Sequence, residues 1–181
     1  MKPFKHFNAD SVDEALALLT EYDGKARVTA GGTDLLGVLK SEILADYPEA
    51  VINLKTISGL DSIQADAAGI HIGALSRLAD IADSPVIKKN CPALTLSIAS
   101  VGSPELRNMG TIGGNLCQDT RCWYYRYPDK MGGRVSCYRK GKAPVMPFGG
   151  TTGITPCSGA GNATRSVRRI RLSRWRRWKR R

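Results

Sequence analysis

No apolar run in the 181-residue chain approaches the ~20 residues that a membrane helix needs. The opening stretch, MKPFKHFNADSVDEA, carries acids and has no apolar h-region, which excludes a secretory signal and makes a cytoplasmic location the expectation. Histidine is scarce. His6 and His71 stand alone, and neither completes a nucleophile–base pair or a metal-ligand pattern. The five cysteines (Cys91, Cys117, Cys122, Cys137 and Cys157) are odd in number and irregularly spaced, so a disulfide framework is not expected; buried thiols or metal ligation fit better, though no zinc-finger spacing is present. G-x-G-x-x-G and the Walker pattern are both missing, and there is no internal repeat.

Acidic residues are absent after Asp129. The net charge of +11 is therefore uneven: residues 165–181, RSVRRIRLSRWRRWKRR, hold ten Lys/Arg and no acid, leaving +1 for the rest. Such a tract reads as a solvated tail, or as a surface for nucleic acid or anionic lipid with Trp175 and Trp178 available for stacking. A nucleic-acid role is opposed by the near-neutral body, which lacks any recognised nucleic-acid motif. Hydrophobic residues at 42% and charged residues at 24% mark a globular body, long enough for one domain or two small subdomains.

What is present alternates between strand and helix signals. SVDEALALLTEY (11–22) has helical apolar spacing, with Ser11 as N-cap and Glu14 completing a capping box. ARVTAGG (26–32) reads as a short strand ending in paired glycines, Thr33–Leu44 as a helix, AVINLK (50–55) as a buried strand and Gly69–Gly73 as a half-buried strand. Leu75–Ala82 and Pro92–Ala99 read as helices, and GSPELRNMGTIGGNL (102–116) as a glycine-rich loop. From Asp119 the composition turns aromatic, basic and cysteine-bearing; from Val145 it is Gly/Thr/Ser-rich without periodicity. The order predicts a mixed α/β fold to about residue 118.

Two glycine loops are the candidate site. Ala30-Gly31-Gly32-Thr33-Asp34 lies between a strand and a helix, where paired glycines expose successive N–H groups and a helix start adds positive potential. Gly110-Thr111-Ile112-Gly113-Gly114-Asn115 is the second. Either alone serves equally as a tight connection. Together, about 80 residues apart in sequence, they suit one long phosphate-bearing ligand, with Thr33, Thr111 and Asn115 supplying side-chain hydrogen bonds.

The pair AGGTDLLG (30–37) and GTIGGNL (110–116), with IGALSRLADI (72–81) and KPFKHFNADSVDEALALL (2–19), resembles the flavin-binding subunit of the molybdenum-containing hydroxylases, over residues 1 to about 144. The resemblance implies an α/β (α+β) fold, two small subdomains of a PCMH-type FAD-binding domain, divided as 1–57 and 58–144. It implies that Ala30, Gly31, Gly32, Thr33 and Asp34 grip FAD from one side and Gly110, Thr111, Ile112, Gly113, Gly114 and Asn115 from the other, with Asp119 near the ribityl or adenosine part. It implies an electron-transfer role beside a molybdopterin-binding subunit and a [2Fe–2S] subunit, with no specific nucleic acid and no membrane as partners. No catalytic acid or base is nominated; Tyr124 and Tyr125 either pack near the flavin or fill a core.

One branch, similar to the hydroxybenzoyl-CoA reductase flavoprotein, carries a [4Fe–4S] insertion after the second loop. Its first ligand lies in a Thr-Arg-Cys sequence, matched by Thr120-Arg121-Cys122, and Cys137 matches the second. Two further cysteines are missing where that branch has them, and Cys157 stands beyond Pro144, where the resemblance stops. Read one base earlier, the codons of residues 145–156 permit Cys-Tyr-Ala-Val-Arg-Gly-Asp-Asn-Arg-Tyr-His-Ala, which is similar to that branch's continuation. A one-base deletion near codon 145 is therefore expected, to be tested by reading the genomic DNA across codons 143–150. On this reading residues 145–181 have no evolved partner and the FAD-binding chain is truncated, with a nonfunctional remnant or a basic-tailed nucleic-acid-binding protein as the alternatives.

Overall fold

Alanine, valine and isoleucine in succession at residues 50–52 give a strand with no polar face, as a strand covered on both sides requires. In the computed structural model, which describes residues 1–44, 46–119, 121 and 123–126, this is β3 (Ala50–Asn53), buried at its first three positions and central in a parallel sheet of order β1-β3-β2. β1 (Lys5–Asn8) and β2 (Ala26–Thr29) flank it, with Phe7 and Val28 both in register with Ile52. All three carboxyl ends leave the sheet at one edge, the usual place for ligand loops in such sheets. β1 has no hydrophobic alternation, since only Phe7 of KHFN is half-buried. It exists through backbone pairing to β3, and the sequence carries no signal for it.

Helix α1 (Val12–Glu21) packs its Ala15, Leu18 and Leu19 side into a core with Phe7, Ala26, Ala50 and Ile52. Its start follows the expected capping box with one change. The Ser11 hydroxyl accepts from Glu14 N–H at 3.1 Å, but the Glu14 carboxylate accepts from Asp10 N–H at 2.7 Å, one residue before the cap. Ser11→Ala is expected to destabilise the fold by about 1 kcal/mol, read as a lower urea midpoint at unchanged m-value.

The strand expected over 26–32 ends at Thr29, and Gly32, at φ +72°, lies in the turn beyond it. The helix expected over 33–44 is only α2 (Leu35–Lys40). Gly37 weakens its interior, and just past it Glu42 adopts φ +50°, which a continuing helix forbids.

The second core is built on a hairpin. β4 (Ile63–Asp66) pairs antiparallel with β5 (Gly69–Ile72), and the Asp66 carboxylate accepts from Ala68 and Gly69 N–H at 2.8 and 2.9 Å across the turn. β4 was not expected, because three of its four residues are exposed. Ile63, Ile70 and Ile72 pack with Leu78 and Ile81 of α3 (Leu78–Asp83), Ile87 of α4 (Pro85–Asn90) and Ile98 of α5 (Pro92–Ala99).

The stretch expected as a loop over 102–116 is two helices, α6 (Pro104–Met109) and α7 (Ile112–Cys117). Its glycine content hid the starts: Ser103 caps Leu106 N–H at 3.4 Å ahead of a proline, and Thr111 caps Gly114 N–H at 3.2 Å. A last helix, α8 (Trp123–Arg126), places Tyr125 in a small core with Val38 and Ile43. Among the described residues no helix is long and apolar enough to cross a membrane.

Candidate functional site

The two glycine loops meet, and a glycine is what lets them. An added Cβ on Gly31 would lie 2.0 Å from the Met109 carbonyl oxygen and 3.0 Å from Gly110 Cα, both backbone atoms. Gly110 approaches the Thr33 hydroxyl, and Gly114 approaches Ala30. Of the residues expected to share one ligand, Thr33, Asp34, Gly110, Thr111, Gly114 and Asn115 line one cleft of about 560 Å³, whereas Ala30, Gly31, Gly32, Ile112, Gly113 and Asp119 are not among its lining residues. Leu78, Val101 and Leu106 add apolar wall, and Gln118 and Arg121 close the polar side.

The hydrogen bonds of the two loops differ, which the sequence pattern does not reveal. In the second loop five of the six amides are spent on the protein. Gly110 N–H donates to Leu106 O, Ile112 N–H to Ser76 O, Gly113 N–H to Ala74 O and Asn115 N–H to Thr111 O, at 2.7–3.0 Å, and Gly114 N–H goes to the Thr111 hydroxyl. Ile112 is buried in the second core, and a Cβ on Gly113 would sit 2.7 Å from Ala74 O. Ile112 and Gly113 therefore anchor this loop to residues 74–76.

In the first loop the amides of Ala30, Gly31, Gly32, Thr33 and Asp34 have no protein acceptor among the described residues. Five consecutive N–H groups without a protein acceptor among the described residues, in a chain turned at Gly32 through a left-handed φ, are available to an anion. α2 has six residues, so the field here rests on these amides rather than on a long helix dipole.

Side chains sort themselves similarly. The Asn115 Oδ1 atom is buried without a hydrogen-bond partner among the described residues, and Asn115 lines the cleft. A buried amide oxygen left so is costly unless a ligand supplies an O–H or N–H. Thr33 is exposed at the rim, whereas the Thr111 hydroxyl is buried and accepts from Gly114 N–H. The Asp34 carboxylate is turned to the protein. It accepts from Asp119 N–H at 2.9 Å and from Arg126 Nη2 at 2.9 and 3.1 Å, and Arg121 Nη2 lies 3.3 Å away. Asp119, expected at the ligand, receives the Tyr125 hydroxyl at 2.6 Å and offers its carbonyl to Arg126. Asp34 and Asp119 thus tie the first loop to residues 118–126.

Sequence reading did not single out Gln118 and Arg121 as cleft residues. Their signal was their position: shortly after the second loop, they stand beside Asp119, whose amide bonds Asp34. His71 is exposed on β5, its Nε2 3.0 Å from Asp66 Oδ2. Cys91 and Cys117 are free thiols, while Cys122, Cys137, Cys157 and the basic tract lie outside the described residues. Among the described residues no group of three or more His, Cys, Asp or Glu is placed to hold a metal ion.

Among the described residues, loop amides without an acceptor, a buried amide oxygen without a partner and an apolar wall make a cleft suited to a phosphate-bearing, partly apolar ligand. Residues 2–122 match the family described as the FAD binding domain in molybdopterin dehydrogenase, and this chain belongs to that family. It is 41% identical over 117 residues to the nicotinate dehydrogenase FAD-subunit of Eubacterium barkeri, covering 64% of this chain and 39% of that protein. It is 37% identical over 118 residues to the 6-hydroxypseudooxynicotine dehydrogenase complex subunit alpha of Paenarthrobacter nicotinovorans, with the same shares. The fold matches carbon monoxide dehydrogenase from Hydrogenophaga pseudoflava with a TM-score of 0.60 at 33% identity, over 64% of this chain and 40% of that one. The chain therefore spans about two fifths of the length of these relatives.

Proposed function

We propose that the cleft between residues 30–34 and 110–115 holds FAD, its diphosphate on the free amides of the first loop. The run of five acceptor-free N–H groups carries this reading. The other features fit the same ligand. Asn115 Oδ1 calls for a hydroxyl or amino donor, which the ribityl chain, the ribose and the adenine all offer. Leu78, Val101 and Leu106 suit an apolar ring face. When bound, the flavin supplies the electron-carrying ring. The chain's residues position it: the second loop, fixed to residues 74–76, is a rigid wall, and the first loop is the adaptable anion cradle.

The same proposal makes this chain the FAD-binding part of a molybdenum hydroxylase-type oxidoreductase in the cytoplasm, organised as subdomains 1–57 and 58–144. It would pass electrons between an external carrier and partner subunits bearing molybdopterin and a [2Fe–2S] cluster. The relatives' names, a FAD-subunit and a subunit of a dehydrogenase complex, support that setting. A [4Fe–4S] cluster at Cys122 and Cys137 belongs to the proposal only as an incomplete ligand set.

Titrating the purified chain with FAD, followed by flavin fluorescence and absorbance, tests the site. Saturable binding is expected, and Asn115→Leu should weaken it about tenfold by leaving a ligand donor unpaired. A folded chain that leaves the flavin spectrum unchanged would overturn the reading.

A further inference from the structure

The charges lining the cleft are Asp34 and Arg121 among the described residues. They do not simply cancel. Asp34 is already taken by Arg126, whose Nη2 reaches both carboxylate oxygens at 2.9 and 3.1 Å and which does not line the cleft. Its side chain is 16% exposed, so this pairing is sheltered from water. Arg121 shares that carboxylate at 3.3 Å but, unlike Arg126, lines the cleft and is 55% exposed there. Arg121 is also held in place: Nε donates to the Gln118 side-chain oxygen at 3.0 Å, and Nη2 stands 3.3 Å from Asp34 Oδ1. Gln118 is itself buried and part of the cleft wall. The two Nη1 hydrogens find no protein acceptor among the described residues, and the side chain is 55% exposed.

We propose that Arg121 is a ligand-binding residue of the cleft: its guanidinium, braced by Gln118 and Asp34, takes the phosphate charge of the dinucleotide alongside the first-loop amides. The proposal rests on the FAD reading above. A diphosphate brings two negative charges to a cleft whose carboxylate is already paired, and neutral amides alone leave those charges uncompensated. A planar fork with two unclaimed donors matches phosphate oxygens better than a flexible ammonium does. Bracing by two protein partners also reduces the rotamer freedom lost on binding.

The test compares FAD with riboflavin, which has no phosphate, on the full chain and on Arg121→Gln and Arg121→Lys. Arg121→Gln should weaken FAD at least about tenfold, leave riboflavin unchanged, and remove most of the salt sensitivity of FAD binding. Arg121→Lys should fall between, because the charge stays and the fork is lost. Thermal melts confirm folding, which an exposed side chain makes robust to both changes. Arg121→Gln binding FAD like the parent chain overturns the proposal, as does an equal loss for FAD and riboflavin, which would make Arg121 a scaffold residue. A parent chain that binds neither compound overturns the FAD reading itself, and the Arg121 assignment with it.

Discussion

Gly31→Val is expected to abolish FAD binding and to lower stability by at least about 2 kcal/mol. The site at Gly31 has no room for a first carbon: a Cβ there falls 2.0 Å from the Met109 carbonyl oxygen, with Met109 C at 2.9 Å and Gly110 Cα at 3.0 Å. All three are backbone atoms at the junction of α6 with the second loop. That junction cannot move alone, because Gly110 N–H is bonded to Leu106 O at 2.7 Å and Gly110 O accepts from Leu78 N–H at 2.9 Å. The strain is therefore relieved more easily by the first loop, whose amides have no protein acceptor among the described residues. Displacing it separates the N–H cradle from Asn115 across the cleft. Gly37→Ala is the control, since nothing lies within 4 Å of its added carbon and its φ is not positive. That change should keep FAD binding and stabilise α2 by up to about 1 kcal/mol. Flavin titration and urea unfolding of both variants separate the outcomes, and a Gly31→Val chain with parental affinity would show that the loops need not touch for the site to work.

The contrast between the two loops also shows what a sequence can and cannot carry. Both were legible as glycine clusters, because close approach of backbones demands the absence of Cβ. Which loop keeps its amides free was not legible. That depends on residues 74–76 running alongside Ile112 and Gly113, a pairing between segments some 40 residues apart with no local pattern of its own. Elements with a buried apolar stripe or a cap were found within a few residues: α1 from its capping box, β3 from its apolar run, α5 from its proline. β1 and β4 were missed because their side chains are largely exposed and their existence is a matter of backbone pairing. The protein partners of Asp34 and Asp119 were not legible for the same reason. Their place beside the glycines was readable, but the arginine that claims Asp34 stands 92 positions away.

That long-range pair yields the last large effect. Asp34→Ala is expected to destabilise the chain by about 2–3 kcal/mol and to weaken FAD binding, although the Asp34 carboxylate is turned to the protein. Removing it strands the Asp119 N–H and leaves Arg126, 23% exposed, with a charge in a partly dry place. Arg126→Ala should cost less, because Arg121 at 3.3 Å and the Asp119 amide remain to satisfy the carboxylate. The pairwise energy is isolated by a double-mutant cycle, which cancels whatever else each side chain touches. The coupling expected for a sheltered pair with Nη2 on both carboxylate oxygens is about 1.5 kcal/mol. Asp34→Asn discriminates further: it keeps an acceptor for Asp119 N–H and removes only the charge, so it should recover part of the stability but not the coupling to Arg126. A coupling below about 0.3 kcal/mol would mean that the Arg126 charge adds little to the Asp119 amide bond and the Tyr125 core contacts, and that the first loop does not take its shape from this ion pair.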